Sequence, residues 1–295
     1  MIISFLHAAV ISGTPLLFAI LGEILTEKTG KLNLGVEGMM MMGAVIGFKT
    51  ALITSNGPLA ILGAAAAGGA GALIYAVLTV TLRANQTVTG LTLTIFGTGF
   101  ASFAGQNLSG TVVPASVRAF FSETPLPLLS KIPVIGPVFF SHSVFVYIGY
   151  AVVFASWFYI NRTKAGLSLR AIGENTAAAD SSGIHVLTYK YIHIIAGGLL
   201  AGLGGAFLSL VYVPAWQENI TAGRGWIAVA LVIFCRWDPL KVFIGAYLFG
   251  GLDIIGFRLQ RFDIHVSQYF LDMLPYLMTT FILVAASVKK KIGSS

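Results

Sequence analysis

Apolar residues gather along this chain into blocks about 20 residues long, separated by short polar stretches. A helix rises 1.5 Å per residue, so about 20 apolar residues cover the hydrocarbon core of a bilayer. The runs 3–22, 34–54, 58–82, 87–106, 142–160, 190–213, 239–256 and 267–288 satisfy or nearly satisfy that length. A shorter run, 225–235, crosses only if it is tilted, thin or discontinuous. None of these runs alternates with the period of two that a barrel wall requires. The pattern predicts an all-α protein: a polytopic transmembrane helix bundle of about 8–10 spans with short broken or re-entrant helices, one domain over 1–295.

Composition strengthens the reading. The 295 residues are 56% hydrophobic and 10% charged, whereas a soluble domain has about a quarter of its residues charged. No hydrophilic stretch exceeds about 30 residues, which leaves no room for a soluble catalytic domain. The net charge of +7 is spread over the edges of the apolar runs, as in membrane proteins, and forms no basic face for nucleic acid. Lipid is the expected surrounding. With Lys289, Lys290 and Lys291 placed in the cytoplasm and the chain alternating through nine crossings, twelve of the eighteen basic residues lie inside. The positive-inside rule then predicts an outer N-terminus and a cytoplasmic C-terminus. The N-terminus lacks the basic region of a signal peptide, so the first run is expected to stay as a span. Cys235 is the sole cysteine, which excludes an intrachain disulfide.

Small residues predict how the spans pack. Gly197, Ala201 and Gly205 are four apart, as are Gly198 and Gly202, and a second small-residue run covers Gly63 to Gly69. Helices in lipid associate through close backbone approach, which such faces allow.

Three stretches carry more than packing. In the loop from Asn161 to Lys190, a connector leads into a short helix that Asn175 or Thr176 can cap and Gly183 can end. A small-faced helix there suits a groove in another protein, or is a solvated connector. Leu32 to Gly38 and Asn85 to Thr94 read as broken or re-entrant helices, whose free backbone groups must face protein or water. Their polar residues Asn33, Glu37, Gln86, Thr87 and Thr89 are candidates for a solute path, Glu37 also as a structural acid at a helix N-terminus. Phe96, Phe100 and Phe103 share one helical face that could meet a flat ring or simply lipid. Trp216, Trp226 and Trp237 are expected at the membrane interface, with stacking of a ring-shaped solute as the alternative role. Asp253 and Asp272 are expected to pair with Arg258 and Arg261 near the outer ends of the last spans.

Enzymatic chemistry has no residues to stand on. There is no Gly-x-x-x-x-Gly-Lys-Ser/Thr loop for ATP, no His-Glu-x-x-His, and His7, His142, His185, His193 and His265 are scattered.

Four stretches together resemble a family. They are Gly22-Glu23 with Thr29 to Gly38; Arg83 to Gly90; Arg170 to Asn175 continuing to Gly183; and Gly223 to Ala228 with Arg236 to Leu240. Over about residues 15–285 the chain is similar to the ribose- and branched-chain amino-acid-type permeases of ABC importers. The nearest likeness is to the shorter permease of nucleoside and simple-sugar importers that use a basic-membrane-protein-type lipoprotein. The resemblance implies that the segment at about 166–184 couples to a separate ATPase, through Arg170, Gly173, Glu174, Asn175, Ala178, Ala179, Asp180 and Gly183. ATP and magnesium would then sit on that partner, with no cofactor or metal on this chain. It further implies a second, longer permease, a lipid-anchored or periplasmic binding protein, the inner membrane as location, and a nucleoside as solute, with simple sugars or riboflavin as alternatives. A secondary transporter driven by an ion gradient is the rival class.

Overall fold

The computed structural model describes residues 2–260 and, in the last apolar run, positions 273, 277, 280, 281 and 284. Span 267–288 and the residues Arg261 and Asp272 thus fall essentially outside the described residues, as does the Arg258 side chain. Twelve α-helices are described before that run. They are α1 (Ile2–Glu27), α2 (Val36–Thr54), α3 (Gly57–Ala76), α4 (Gln86–Gly105), α5 (Ala115–Phe120), α6 (Ile135–Phe139), α7 (Val144–Arg162), α8 (Lys164–Glu174), α9 (Thr176–Ser181), α10 (Val186–Phe207), α11 (Arg224–Cys235) and α12 (Val242–Gln260). A π-helical turn lengthens α3 to Thr81 and another lengthens α10 to Tyr212. Among the described residues there is no strand, only two isolated bridges.

Seven of these helices are long and apolar enough to cross a membrane, and they match the seven predicted runs before 260 to within a few residues. The molecule is an all-α, polytopic membrane protein. Its centre is α1, 89% buried along its most apolar window, whereas α7 at 28% and α4 at 33% lie outside. Helix α10 packs along α1, α2 and α3, and the predicted small faces are what permit it. Gly198 lies on Gly68, Gly197 on Gly22 and Gly202 on Gly43, backbone against backbone. A Cβ on Gly205 would collide with the carbonyl of Met40. Such contacts replace the hydrophobic drive that lipid removes.

The two ends of the bundle differ. At one end the α8–α9 hairpin meets the turn after α1, since a Cβ on Gly173 would lie 2.6 Å from the Lys28 carbonyl. At the far end α5, α6 and their connections close over α1 and the α2–α3 turn: Ser116 donates to the Ser55 carbonyl, and His7 bonds the Ser141 carbonyl. The His7 and His142 rings stack there at 4.3 Å.

Candidate translocation path and coupling hairpin

Two stretches of non-helical backbone enter the bundle. The first runs from Lys28 to Gly35. The Asn33 N–H donates to Glu23 Oε1 at 2.8 Å, one turn inside the end of α1. Tyr75 donates to the Leu32 carbonyl, and Thr94 to the Leu34 carbonyl. Helix α2 therefore begins inside the bundle, with Gly38 against Leu93 and Gly97 of α4. A broken entry thus holds for 32–35, after which α2 crosses as one unbroken helix from Val36, not a re-entrant one. It does not hold for 85–94: the Asn85 side chain accepts from Thr87 and Val88 N–H, and α4 continues unbroken from Gln86.

The second stretch is 213–223, between α10 and α11. Trp216 packs on Phe48, and Thr221 donates to Glu37 Oε1 at 2.5 Å. Those anchors stand eleven residues apart on α2, about 16 Å at the helical rise. The chain thus descends beside the middle of α2 before α11 starts. Helix α11 then runs back to the hairpin end, where Trp237 Nε1 donates to Glu27 Oε2 at 2.5 Å. The short run 225–235 is the second half of a discontinuous crossing, as its length required.

Glu37 fixes the break in that crossing. Its Oε1 accepts from the Thr221 hydroxyl and from Gly223 N–H at 2.9 Å, and its Oε2 from Gly225 N–H at 2.6 Å. The free N–H groups at the start of α11 carry partial positive charge, so a carboxylate there is stabilised without a cationic partner. Glu37 is only 5% exposed. It serves the N-terminus of α11, not that of its own helix. Gly225 is required at the contact, because a Cβ would lie 2.5 Å from the Glu37 Cα. Beside it Arg224 pairs with Asp253 at 3.1 Å, Ser12 donates to the same carboxylate oxygen, and the guanidinium lies over the Tyr212 ring. Among the described residues the partner of Asp253 is thus Arg224, within the bundle; the expected arginines, Arg258 and Arg261, lie outside the described side chains.

Between the two anchors, Gln217, Glu218 and Asn219 are exposed. Asn219, Ala222 and Gly223 all have positive φ, at 53°, 46° and 81°, which turns this stretch away from any helix. Polar backbone and side chains at membrane depth are tolerated only against protein or a water-filled cavity. Sequence reasoning missed these three residues. Its other path candidates are dispersed. Asn33 is 1% exposed, its Oδ1 accepting from Gly35 N–H. Gln86 Oε1 accepts from Leu32 N–H at 3.3 Å. Thr87 is exposed beyond the end of the loop, and Thr89 bonds the Asn85 carbonyl. Phe96 is 50% exposed and stacks on Phe100 along the outer face of α4. Trp226, half-buried, follows Gly225 in the first turn of α11. Trp216, expected at the interface, is 1% exposed and fills the space left by Gly105.

The segment expected to couple forms a hairpin of two helices, of which the sequence suggested one. Thr163 caps α8 by accepting from Gly166 N–H, and Leu169 and Ile172 bury its apolar face. Asn175 has extended backbone and caps α9 by accepting from Ala178 N–H at 3.0 Å. Gly183, with φ of 79°, follows the end of α9. Gly173 to Ala178 and Asp180 to Gly183 are exposed, while Ala179 is buried. Arg170 is half-buried, with its Nε lacking a partner, and its charge acts on Lys28. Burial, then Arg170, lowers the Lys28 pKa, against the pull of Glu174 and Asp238. Among the described residues no cluster could hold a metal ion.

A family model described as branched-chain amino acid transport system / permease component matches residues 5–283. The chain belongs to that family. This permease is 40% identical, over 88% of its length and 78% of the relative's, to a chain of Haloferax volcanii provisionally named a glucose ABC transporter permease. It is 33% identical to a guanosine ABC transporter permease of Bacillus subtilis, over 92% and 88% of the two chains. The same identity links it to a nucleoside ABC transporter permease of Lactococcus lactis, over 92% and 89%. No solved structure matches. The protein is thus a membrane permease subunit of an ABC importer, not itself an enzyme, and works with ATPase and solute-binding partners.

Proposed function

We propose that this permease forms half of the path for a nucleoside or purine-like solute, in the inner membrane, with its N-terminus outside and its C-terminus in the cytoplasm. One observation carries the path: Gln217, Glu218 and Asn219 are exposed on non-helical backbone beside the middle of α2. On a lone chain that polar strip would meet lipid, so it needs a second wall. A second permease, longer than this one, supplies that wall. Trp226 stands just below the strip and offers a ring face to a flat solute. Glu37 is assigned to the scaffold that holds α11, and Asn33 to the turn that leads into α2.

The α8–α9 hairpin docks on the ATPase, which binds ATP and magnesium, through Gly173, Glu174, Asn175, Ala178, Asp180 and Gly183. Nucleotide-driven closure of the ATPase pushes the hairpin, and the contact of Gly173 with the Lys28 carbonyl passes the push to the turn that leads into α2. A lipid-anchored or periplasmic binding protein delivers solute at the far end. The Haloferax volcanii relative favours a second reading, glucose as solute.

Thiol labelling tests the path. Cys235 is buried, so Asn219→Cys introduces one accessible thiol. A charged thiol reagent should modify it in the assembled transporter, and guanosine should slow modification where glucose does not. Slowing by glucose alone would transfer the solute to the second reading. No modification would remove Asn219 from the path.

A further inference from the structure

At the hairpin end, a cleft of about 650 Å³ opens between the end of α3, the hairpin and the start of α10. Lys31, Arg83 and Lys190 line it, and among the described residues the only acid on its wall is Asp180. Among the described residues none of the three cations takes part in an ion pair. Lys31 is tethered by donating to the Thr79 carbonyl at 3.0 Å, which fixes its ammonium at the cleft wall. It lies within electrostatic reach of Lys190, and burial lowers its own pKa. Two repelling ammoniums and a guanidinium face one unpaired acid, so the cleft keeps an excess of positive charge that an anion would offset.

The position says what kind of anion. The cleft sits where two membrane spans, 57–81 and 186–212, end at the bilayer surface. Val80, Val186 and Leu187 make its remaining wall. Cations beside apolar side chains, at the level where spans end, match the headgroup zone of a phospholipid layer.

We infer that this cleft holds the phosphate-bearing headgroup of an anionic lipid. Thr176, Ala177 and Asp180 of the hairpin form one side of the cleft. The bound headgroup therefore braces the hairpin against the bundle. This inference rests on the membrane reading alone, not on the solute.

The test uses the purified full chain in mixed micelles containing phosphatidylglycerol or phosphatidylcholine, with retained lipid counted by native mass spectrometry. Phosphatidylglycerol should be retained in preference, and Arg83→Gln with Lys190→Gln should lower its retention about tenfold or more, the size expected for two lost surface cations. Arg83→Lys with Lys190→Arg should restore it. Should the neutral variant fail to fold, the preference of the wild-type chain for phosphatidylglycerol, and its loss in high salt, still decide the matter. Equal retention of both lipids overturns the inference, as does unchanged retention in the neutral variant. Stabilisation by millimolar inorganic phosphate equal to that by phosphatidylglycerol would assign the cleft to a soluble phosphate. Loss of ATPase copurification with lipid retention intact would assign it to an acidic surface of the ATPase.

Discussion

Glu37 shows what a single side chain does in this bundle. A carboxylate in lipid is expensive unless hydrated or paired, and here one hydroxyl and two backbone N–H groups hold it. Hydrogen bonds to a charged group contribute about 1.5–3 kcal/mol each way of counting, and more is lost when the donors stay buried. Glu37→Ala should therefore lower the thermal midpoint of the detergent-purified protein by several degrees, and Glu37→Gln by less. Gly225→Ala should do the same through the clash with the Glu37 backbone, and unchanged midpoints in all three would refute the assignment. That an acid stood several residues into an apolar run was legible. Its partners were not, because they lie 184 to 188 residues further on. At the far end, burial pushes the pKa of His142 down to about 4, assisted by His7 and opposed by the Val138 carbonyl. The unfolded chain takes up this proton near pH 6.5, which the folded chain resists until about 4. Stability should thus be full above pH 6.5 and decline as pH falls toward 4, and His142→Gln should flatten that slope in pH-dependent thermal melts. An identical slope in the variant would assign the decline elsewhere.

The α8–α9 hairpin is the element through which force should enter. Its second helix was legible because capping and stopping are local: Asn175 caps it and Gly183 adopts the left-handed conformation after it. Its first helix was not, since Leu169 and Ile172 are too few to set a period that stands out from a polar connector. Glu174 is exposed and Arg170 half-buried toward Lys28, so their substitutions should separate. Glu174→Ala should leave ATP hydrolysis and assembly nearly intact while transport falls about tenfold, a change of about 1.4 kcal/mol in coupling. Arg170→Ala should instead loosen the hairpin and weaken copurification with the ATPase. Both are read from ATPase assays and uptake on the same preparations, and wild-type transport in both would discard the hairpin as the coupling element. Asn175→Ala removes the cap at a cost of about 1 kcal/mol and should produce a milder form of the same defect.

At the scale of the molecule, a continuous bundle encloses one crossing that is broken. Lengths of apolar runs predicted the seven long spans well, because the bilayer imposes one thickness on all of them. The small faces of α10 predicted its close packing on neighbouring helices for an equally general reason, backbone approach in lipid. The path escaped the same reading. Gln217, Glu218 and Asn219 look like an ordinary polar loop, and only the contact of Trp216 with Phe48 and of Thr221 with Glu37 places them beside the middle of a span. The hairpin meets the turn at Lys28 that leads into α2, the helix whose Glu37 holds the broken crossing. Uptake into proteoliposomes tests that account most directly. The chain reconstituted alone should carry no labelled guanosine, with or without an ion gradient, and should do so only once the ATPase, the second permease, the binding protein and ATP are all supplied. Uptake by the lone chain, abolished by an ionophore, would contradict it.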